Sequence, residues 1–276
     1  MPIFHAIVLG IVQGLAEFLP ISSSGHLLLV PWLFGWDDLA DAGVKKAFDV
    51  SLHIGTLVAV VAYFRRDLVI YVREGLRLVV SRQRPTSPEG RLAWLLVVSA
   101  LPAAAVGALF EETIDEVLGT PALIAVSLIV FGLVLAWADR RTGTRTIEEY
   151  RGKDALLVGA AQALALNPGT SRSGITITAA RTFGFSRDAA ARISFLMSIP
   201  VTTGAVVFKM TKLLIDGIPA DLRVPMVVGI VTSGLAGWVA VWGTIRLVRT
   251  RSFMPFVIYR CVLGVVVLVV IAAGWR

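Results

Sequence analysis

The sequence predicts an all-α polytopic membrane protein: one membrane domain over residues 1–276, built as an inverted-topology repeat. Each half is one re-entrant helical hairpin plus three transmembrane helices. Three observations point there. First, 56% of the 276 residues are hydrophobic and only 16% are charged, whereas soluble domains are about a quarter charged. Second, each half contains an apolar stretch broken at a proline, in pieces too short to cross a bilayer. Third, the two halves match at their polar positions. The net charge of +7 lies largely in arginines of short loops between apolar runs, where it orients a membrane protein; it is not a nucleic-acid signal. Cys261 is the single cysteine, so no intrachain disulfide is expected and the thiol reads as packed. No Lys or Arg precedes Lys45, so no signal peptide is expected.

The elements follow in order. Residues 3–19 and 21–34 are apolar but divided at Pro20. Neither piece spans about 30 Å of hydrocarbon, so together they read as a hairpin that dips in and returns. Asp37, Asp38 and Asp41 make a polar loop, and residues 48–64 form the first span. Residues 65–91 are a basic loop carrying Arg65, Arg66, Arg73, Arg77, Arg82, Arg84 and Arg91. Its middle, 68–80, is amphipathic and suits the membrane surface. Residues 92–110 are the second span, Glu111, Glu112, Asp115 and Glu116 an acidic loop, and 122–138 the third span. Arg140, Arg141, Arg145, Arg151 and Lys153 follow. The order then recurs. Residues 155–166, Pro168-Gly169 and 171–183 form a second broken pair, and 189–208, 224–245 and 256–273 are three more spans. The 209–223 loop is of mixed charge; Arg246, Arg249 and Arg251 make the next loop basic.

The positive-inside rule puts loops 65–91, 139–154 and 246–251 in the cytoplasm. Both termini then face outward. Three spans per half is odd, so the halves, 1–138 and 155–276, are inverted relative to each other. At an offset of 149, Gly10, Gln13, Ser22, Ser24 and Gly25 meet Gly159, Gln162, Ser171, Ser173 and Gly174. At an offset of 134, Ser99 and Pro121 meet Ser233 and Pro255.

Polar groups inside lipid-like sequence are costly and are functional suspects. Gln13 and Glu17 lie one helical turn apart on one face. After Pro20 come Ser22, Ser23, Ser24, Gly25 and His26; the second break holds Gly169, Thr170, Ser171, Arg172, Ser173 and Gly174. Hairpins entering from opposite faces bring these tips together near the midplane. Each tip precedes a helix whose free N–H groups favour an anion, and Arg172 adds a planar cation suited to phosphate. The repeat sets Glu17 against Leu166, His26 against Ile175 and Ser23 against Arg172. Acid, base and hydroxyl thus come from one half and the cation from the other, a segregation that suits catalysis.

The run Gln13-x-x-x-Glu17-Phe18-Leu19-Pro20-Ile21-Ser22-Ser23-Ser24-Gly25-His26 and the run Pro168-Gly169-Thr170-Ser171-Arg172-Ser173-Gly174 resemble the undecaprenyl-diphosphate phosphatase family of the bacitracin-resistance type. The similarity in layout extends over nearly the whole chain. The resemblance implies a bacterial inner-membrane hydrolase that removes one phosphate from a C55 polyprenyl diphosphate, regenerating the lipid carrier of cell-wall synthesis. It implies a divalent cation, Mg2+ or Ca2+, with Glu17 as metal ligand; Gln13 takes the neutral option of the family's acidic motif. A polyprenyl diphosphate and membrane lipid are the implied partners, and a homodimer is allowed. By position Glu17, Ser23, His26 and Arg172 are the catalytic core. Ser23 attacks phosphorus or positions water, His26 is the base, Arg172 stabilises the phosphoryl oxygens, and Glu17 holds metal or orients His26. Gln13, Ser22, Ser24, Gly25, Gly169, Thr170, Ser171, Ser173 and Gly174 bind the diphosphate.

Plainer readings exist. Glu17 could pair with Arg172 for structure alone, His26 could cap a helix, and Gln162 could bind backbone at the break. His53, near Asp49, reads as a polar pair facing the bundle. Arg181, Arg187 and Arg192 read as a cytoplasmic edge. The rival function is a transporter or flippase of a polyprenyl phosphate or other anion, since inverted repeats with broken helices also build transporters. The type-2 phosphatidic-acid phosphatases share Ser-Gly-His, but His53 is the sole histidine after His26 and the rest of their signature is missing.

Overall fold

The computed structural model describes residues 1–37, 41–81, 87–117 and 119–275. These are helical, with no strand among them and one isolated bridge between Arg145 and Phe185. Asp38, Arg82 and Arg84 lie outside the described residues, as do the side chains of Glu111, Glu112, Asp115 and Glu116.

The order is α1 (Ile3–Phe18), α2 (Ser23–Phe34), α3 (Ala42–Tyr63), α4 (Arg65–Ser81), α5 (Pro88–Val117), α6 (Pro121–Asp139), α7 (Gly152–Ala163), α8 (Arg172–Thr182), α9 (Arg187–Asp216), α10 (Ala220–Val248) and α11 (Met254–Ala272). Six stretches are long and apolar enough to cross a membrane: Gly43–Tyr63, Pro88–Gly107, Pro121–Asp139, Arg187–Thr211, Ala220–Val248 and Met254–Ala272. The six expected spans fall one in each, and the chain is a multi-pass membrane protein. The amphipathic 68–80 stretch is α4, whose Val69, Val72, Leu76, Val79 and Val80 are exposed.

Two expected loops are shorter than the sequence suggested. The backbone of the acidic 111–116 stretch continues α5 to Val117, and much of the 209–223 loop belongs to α9 and α10. Helix propensity is high for Glu and Lys, and their charge marks where lipid ends, not where the helix does. At 1.5 Å per residue the 30-residue α5 and α9 are each about 45 Å long, so their charged ends extend past the hydrocarbon.

The four short helices have physical stops. At the residue before Pro20 the α conformation is disfavoured, and Leu19 is extended with ψ 139°. After α7 a single 3-10 turn, Leu164–Leu166, runs into extended Asn167 before Pro168. Helices of 16, 12, 12 and 11 residues are only about 16–24 Å long.

Packing crosses between the halves. Helix α1 lies on α10, which also lies on α3, while α7 lies on α5 and α11 on α6. Glycines permit the close approaches. A Cβ at Gly14 would stand 2.5 Å from the Ser233 carbonyl on α10, and one at Gly159 would stand 2.5 Å from the Ser99 carbonyl on α5. The largest buried cluster joins Phe18, Phe64, Leu135, Tyr150, Phe185, Phe195 and Val241. Cys261 packs partly buried against that cluster as a free thiol, as expected.

Candidate active site

The site is assembled where the two breaks meet. Each break ends on a serine with positive φ, Ser22 at 79° and Ser171 at 75°. This is an uncommon conformation for a residue with a side chain. Each serine caps the helix after it: Ser22 Oγ accepts from Gly25 N at 3.4 Å and Ser171 Oγ from Gly174 N at 3.1 Å. Ser22 Oγ also accepts from Gly169 N at 3.0 Å, and Ser173 Oγ donates to the Leu19 carbonyl at 3.0 Å. The tips are therefore bonded directly to one another.

Glu17 is the hub. It is 6% exposed, and three side chains donate to it. Arg172 Nη2 reaches Oε1 at 2.8 Å, while Ser23 Oγ at 2.7 Å and Gln13 Nε2 at 2.9 Å share Oε2. His53 Nε2 lies 3.8 Å from the same Oε2. Because Oε2 is acceptor-only when ionised, the Ser23 hydroxyl proton points at the carboxylate. Arg172 Nη1 and Gln13 Oε1 are buried with no partner among the described residues.

These groups border a cavity of ≈ 530 Å³. Glu17, Ser22, Ser23, Ser24 and Arg172 line it, with Lys45, Lys46 and Lys209, and also Asp49 and His53. Leu27, Leu28, Val201 and Val206 supply apolar wall. An anionic head with a greasy tail is what such a lining suits: hydroxyls, guanidinium and ammonium groups for the head, aliphatic side chains for the tail.

The other expected site residues sit behind this surface. Gln13 is fully buried against Glu17. The backbones of Gly25 and Gly174 are spent on the caps, and the Ser171 and Ser173 hydroxyls face each other at 3.3 Å. Thr170 is buried, its hydroxyl accepting from Asn167 Nδ2 at 3.1 Å. Gly169 needs its φ of +93°, and a Cβ there would meet the Ile124 carbonyl at 2.6 Å. None of these residues lines the cavity.

His26 is not brought onto Ser23 either. Its Nδ1 donates to the Ser22 carbonyl at 2.7 Å, since a carbonyl only accepts. Its Nε2 therefore accepts from the Tyr259 hydroxyl at 2.8 Å, and the two rings stack at 5.6 Å. Both ring nitrogens are occupied and the ring is 6% exposed, so the expected line from His26 to the serine hydroxyl is absent. Gln162, expected to bond backbone at its break, is buried with neither amide atom partnered among the described residues. Arg181 and Arg187 gather around Asp139, where they line a separate cavity of ≈ 580 Å³.

Sequence reasoning passes over Arg260. This residue of α11 is wholly buried. It donates to the carbonyls of Leu128 at 3.0 Å, Pro20 at 3.1 Å, Gly169 at 3.0 Å and Thr170 at 3.0 Å, with Ser127 at 3.5 Å. One guanidinium thus takes the Pro20, Gly169 and Thr170 carbonyls of the two breaks together with the Leu128 and Ser127 carbonyls of α6. The signal was available: an arginine alone in an apolar run is costly enough to demand a purpose.

The donor set does not fit a metal held by protein alone. Glu17 has both oxygens engaged, and no group of three His, Cys, Asp or Glu side chains able to hold a metal occurs among the described residues.

Comparison with known proteins agrees over the whole chain. The model of a family described as "Bacitracin resistance protein BacA" matches residues 6–266. The chain is similar to proteins named undecaprenyl-diphosphatase. The one from Pelobacter propionicus is 48% identical over 276 residues, covering 99% of each chain. The one from Geobacter sulfurreducens is 47% identical over 271 residues, 97% of this chain and 98% of the relative. The one from Pelotomaculum thermopropionicum is 44% identical over 274 residues, 99% and 98%.

Proposed function

The chain belongs to the bacitracin-resistance BacA family, and from that premise we propose that it is an integral membrane phosphatase acting on undecaprenyl diphosphate. Its products are undecaprenyl phosphate and inorganic phosphate, and its role is to recycle the lipid carrier for peptidoglycan synthesis. The observation that carries the chemistry is the shared grip on Glu17: one carboxylate holds the Ser23 hydroxyl and the Arg172 guanidinium at once.

The Ser23 oxygen attacks the terminal phosphorus. Glu17, already accepting the Ser23 hydroxyl, is placed to take its proton. Arg172 turns its unpartnered Nη1 to the phosphoryl oxygens, where charge spreads in the transition state. Ser24 and the N–H groups that open α2 take the remaining oxygens, and the lysine rim draws the anionic head inward. This gives the base role to Glu17, with His26 a brace that ties the Ser22 backbone to Tyr259. Gln13, Gly25 and residues 169–171, 173 and 174 keep the tips in place. Magnesium or calcium would enter this reading only as a companion of the diphosphate, and no step depends on it here.

The finer architecture belongs to the same proposal. Residues 1–138 and 155–276 are inverted repeats, each opening with a re-entrant hairpin. The paired positive-φ serines, their matching caps, and the reciprocal α1–α10 and α7–α5 packing support it. Both termini face outward from a bacterial inner membrane. A homodimer would show in light scattering in detergent as twice the 29.6 kDa mass of the chain.

The test is phosphate release by purified protein in detergent, supplied with a C55 polyprenyl diphosphate. Release by the wild type, and none by Ser23→Ala, is expected. Intact substrate relocated across vesicles without phosphate release would establish the transporter instead.

A further inference from the structure

We infer that the second cavity, of ≈ 580 Å³, is a binding site for the headgroup phosphate of an anionic phospholipid. It shares no lining residue with the main cavity. The ends of three membrane-spanning stretches set its level. Pro121–Asp139 and Ala220–Val248 end at it, and Arg187–Thr211 begins at it. Hydrocarbon stops where such stretches stop, so lipid headgroups lie level with this cavity. Trp137 and Trp242, both about half exposed near the ends of α6 and α10, mark the same interface. Loops 139–154 and 246–251 meet here, at the end that the positive-inside rule turns to the cytoplasm and its anionic leaflet.

The lining holds more positive charge than the protein itself neutralises. Five arginines stand against two carboxylates, Asp139 and Asp188, and both carboxylates are spent. Asp139 accepts from Arg187 Nε at 2.6 Å and from Phe253 N at 3.0 Å. Asp188 accepts from Arg249 Nε at 2.8 Å and from Arg192 Nε at 2.9 Å. Arg187 Nη1 and both terminal nitrogens of Arg249 donate to nothing among the described residues. Arg140 and Arg141 meet no carboxylate among the described residues, and the Arg141 guanidinium lies 4.2 Å over the Trp137 ring. Arg181 lines the cavity from its buried side, 4% exposed. Its Nε has no hydrogen-bond partner among the described residues and stands 3.7 Å from Asp139 Oδ1.

The walls are held in place by the protein alone. Arg181 donates to the carbonyls of Phe185 at 2.5 Å, Asp139 at 3.3 Å and Arg141. Gly143 lets the loop lie on that guanidinium, for a Cβ there would stand 2.7 Å from Arg181 Nη1. Arg145 N donates to the Gly184 carbonyl at 3.0 Å, and Ser186 N to the Arg145 carbonyl at 2.9 Å. These bonds close the loop against the start of the 30-residue α9, whose Ser186 and Arg187 line the cavity and whose dipole is positive at that end. Arginine forks on a preformed wall suit phosphate oxygens. A lipid is the source the surroundings favour. Val126, Val130, Leu133 and Trp137 are exposed at helical spacing along α6 and lead to Arg141, an apolar track for an acyl chain below a cationic seat.

The test titrates dioleoyl phosphatidylglycerol into the full-length protein in neutral detergent and reads the melting midpoint. Dioleoyl phosphatidylcholine and inorganic phosphate are separate arms. Phosphatidylglycerol should raise the wild-type midpoint, and the other two should leave it in place. The double variant Arg140→Gln/Arg141→Gln strands no carboxylate and should melt like wild type without lipid. It should bind phosphatidylglycerol about 30-fold more weakly. Arg249→Gln, the arm that decides if the double variant misfolds, should bind it about 5-fold more weakly. Arg172→Gln, in the main cavity, should keep wild-type lipid affinity. Unchanged phosphatidylglycerol affinity in the Arg140/Arg141 and Arg249 variants would overturn the assignment. So would an equal shift from phosphatidylcholine, an equal shift from inorganic phosphate, or a loss confined to Arg172→Gln.

Discussion

Replacing Arg260 with Met keeps an unbranched apolar stem and removes the guanidinium with its donors. Four bonds to carbonyls at 3.0–3.1 Å are lost, three of them in the breaks and one within α6, and a fifth contact at 3.5 Å goes with them. Hydrogen bonds to a charged group contribute about 1.5–3 kcal/mol each, so addition would give some 6–12 kcal/mol. Addition overshoots, because the buried guanidinium itself carries a desolvation cost; breaking a buried charged constellation typically costs about 3–5 kcal/mol. At about 2–4 °C per kcal/mol for larger domains, the midpoint should fall by roughly 10 °C. Intrinsic tryptophan fluorescence during heating in detergent reads this directly. Phosphate release should fall further than stability does, since Pro20 and Gly169 carry the two tips. Arg260→Lys, with one ammonium for a fork, should recover only part of the midpoint. A methionine variant melting within about 2 °C of wild type would refute the idea that this guanidinium ties the breaks together.

Glu17→Gln keeps the shape of the hub but removes the proton acceptor, and phosphate release should drop about 10²–10⁴-fold while the protein still folds. Gly169→Ala places a methyl 2.6 Å from the Ile124 carbonyl at a φ of +93°; it should lower both the melting midpoint and turnover, whereas Gly204→Ala, with open space around it, should leave both unchanged. Chelation with EDTA should leave the melting midpoint of the lipid-free protein unmoved, because no three His, Cys, Asp or Glu side chains gather to hold an ion among the described residues.

The spans were legible because each is a long apolar run whose length alone excludes alternatives. The breaks were legible because Pro20 and Pro168 interrupt such runs among serines and glycines. What the sequence hid was depth and direction. Ser24 and Ser173 are matched by the repeat, yet Ser24 lines the cavity and Ser173 is spent on the Leu19 carbonyl. Motif ranks His26 above His53, and folding reverses their access: the motif histidine is enclosed by Ser22 and Tyr259, and the other faces Glu17. Arg260 stands out in its apolar run as a charge needing a purpose, but its partners are carbonyls, which every residue has and no spacing reveals. The acidic stretch at 111–116 reads as a loop in sequence because its charge suggests the end of a helix, and the helix runs on through it.

Arg260 is made after both segments it fastens. On a ribosome, Pro20 and the Gly169–Thr170 pair enter the bilayer well before α11 is translated, so for that interval their carbonyls have no guanidinium to meet. A chain interrupted short of α11 would carry Glu17, Ser23 and Arg172 and still lack the clasp that sets them opposite one another. The contacts that join the two breaks to α11 are therefore the last to form, after every group that lines the cavity is already in place.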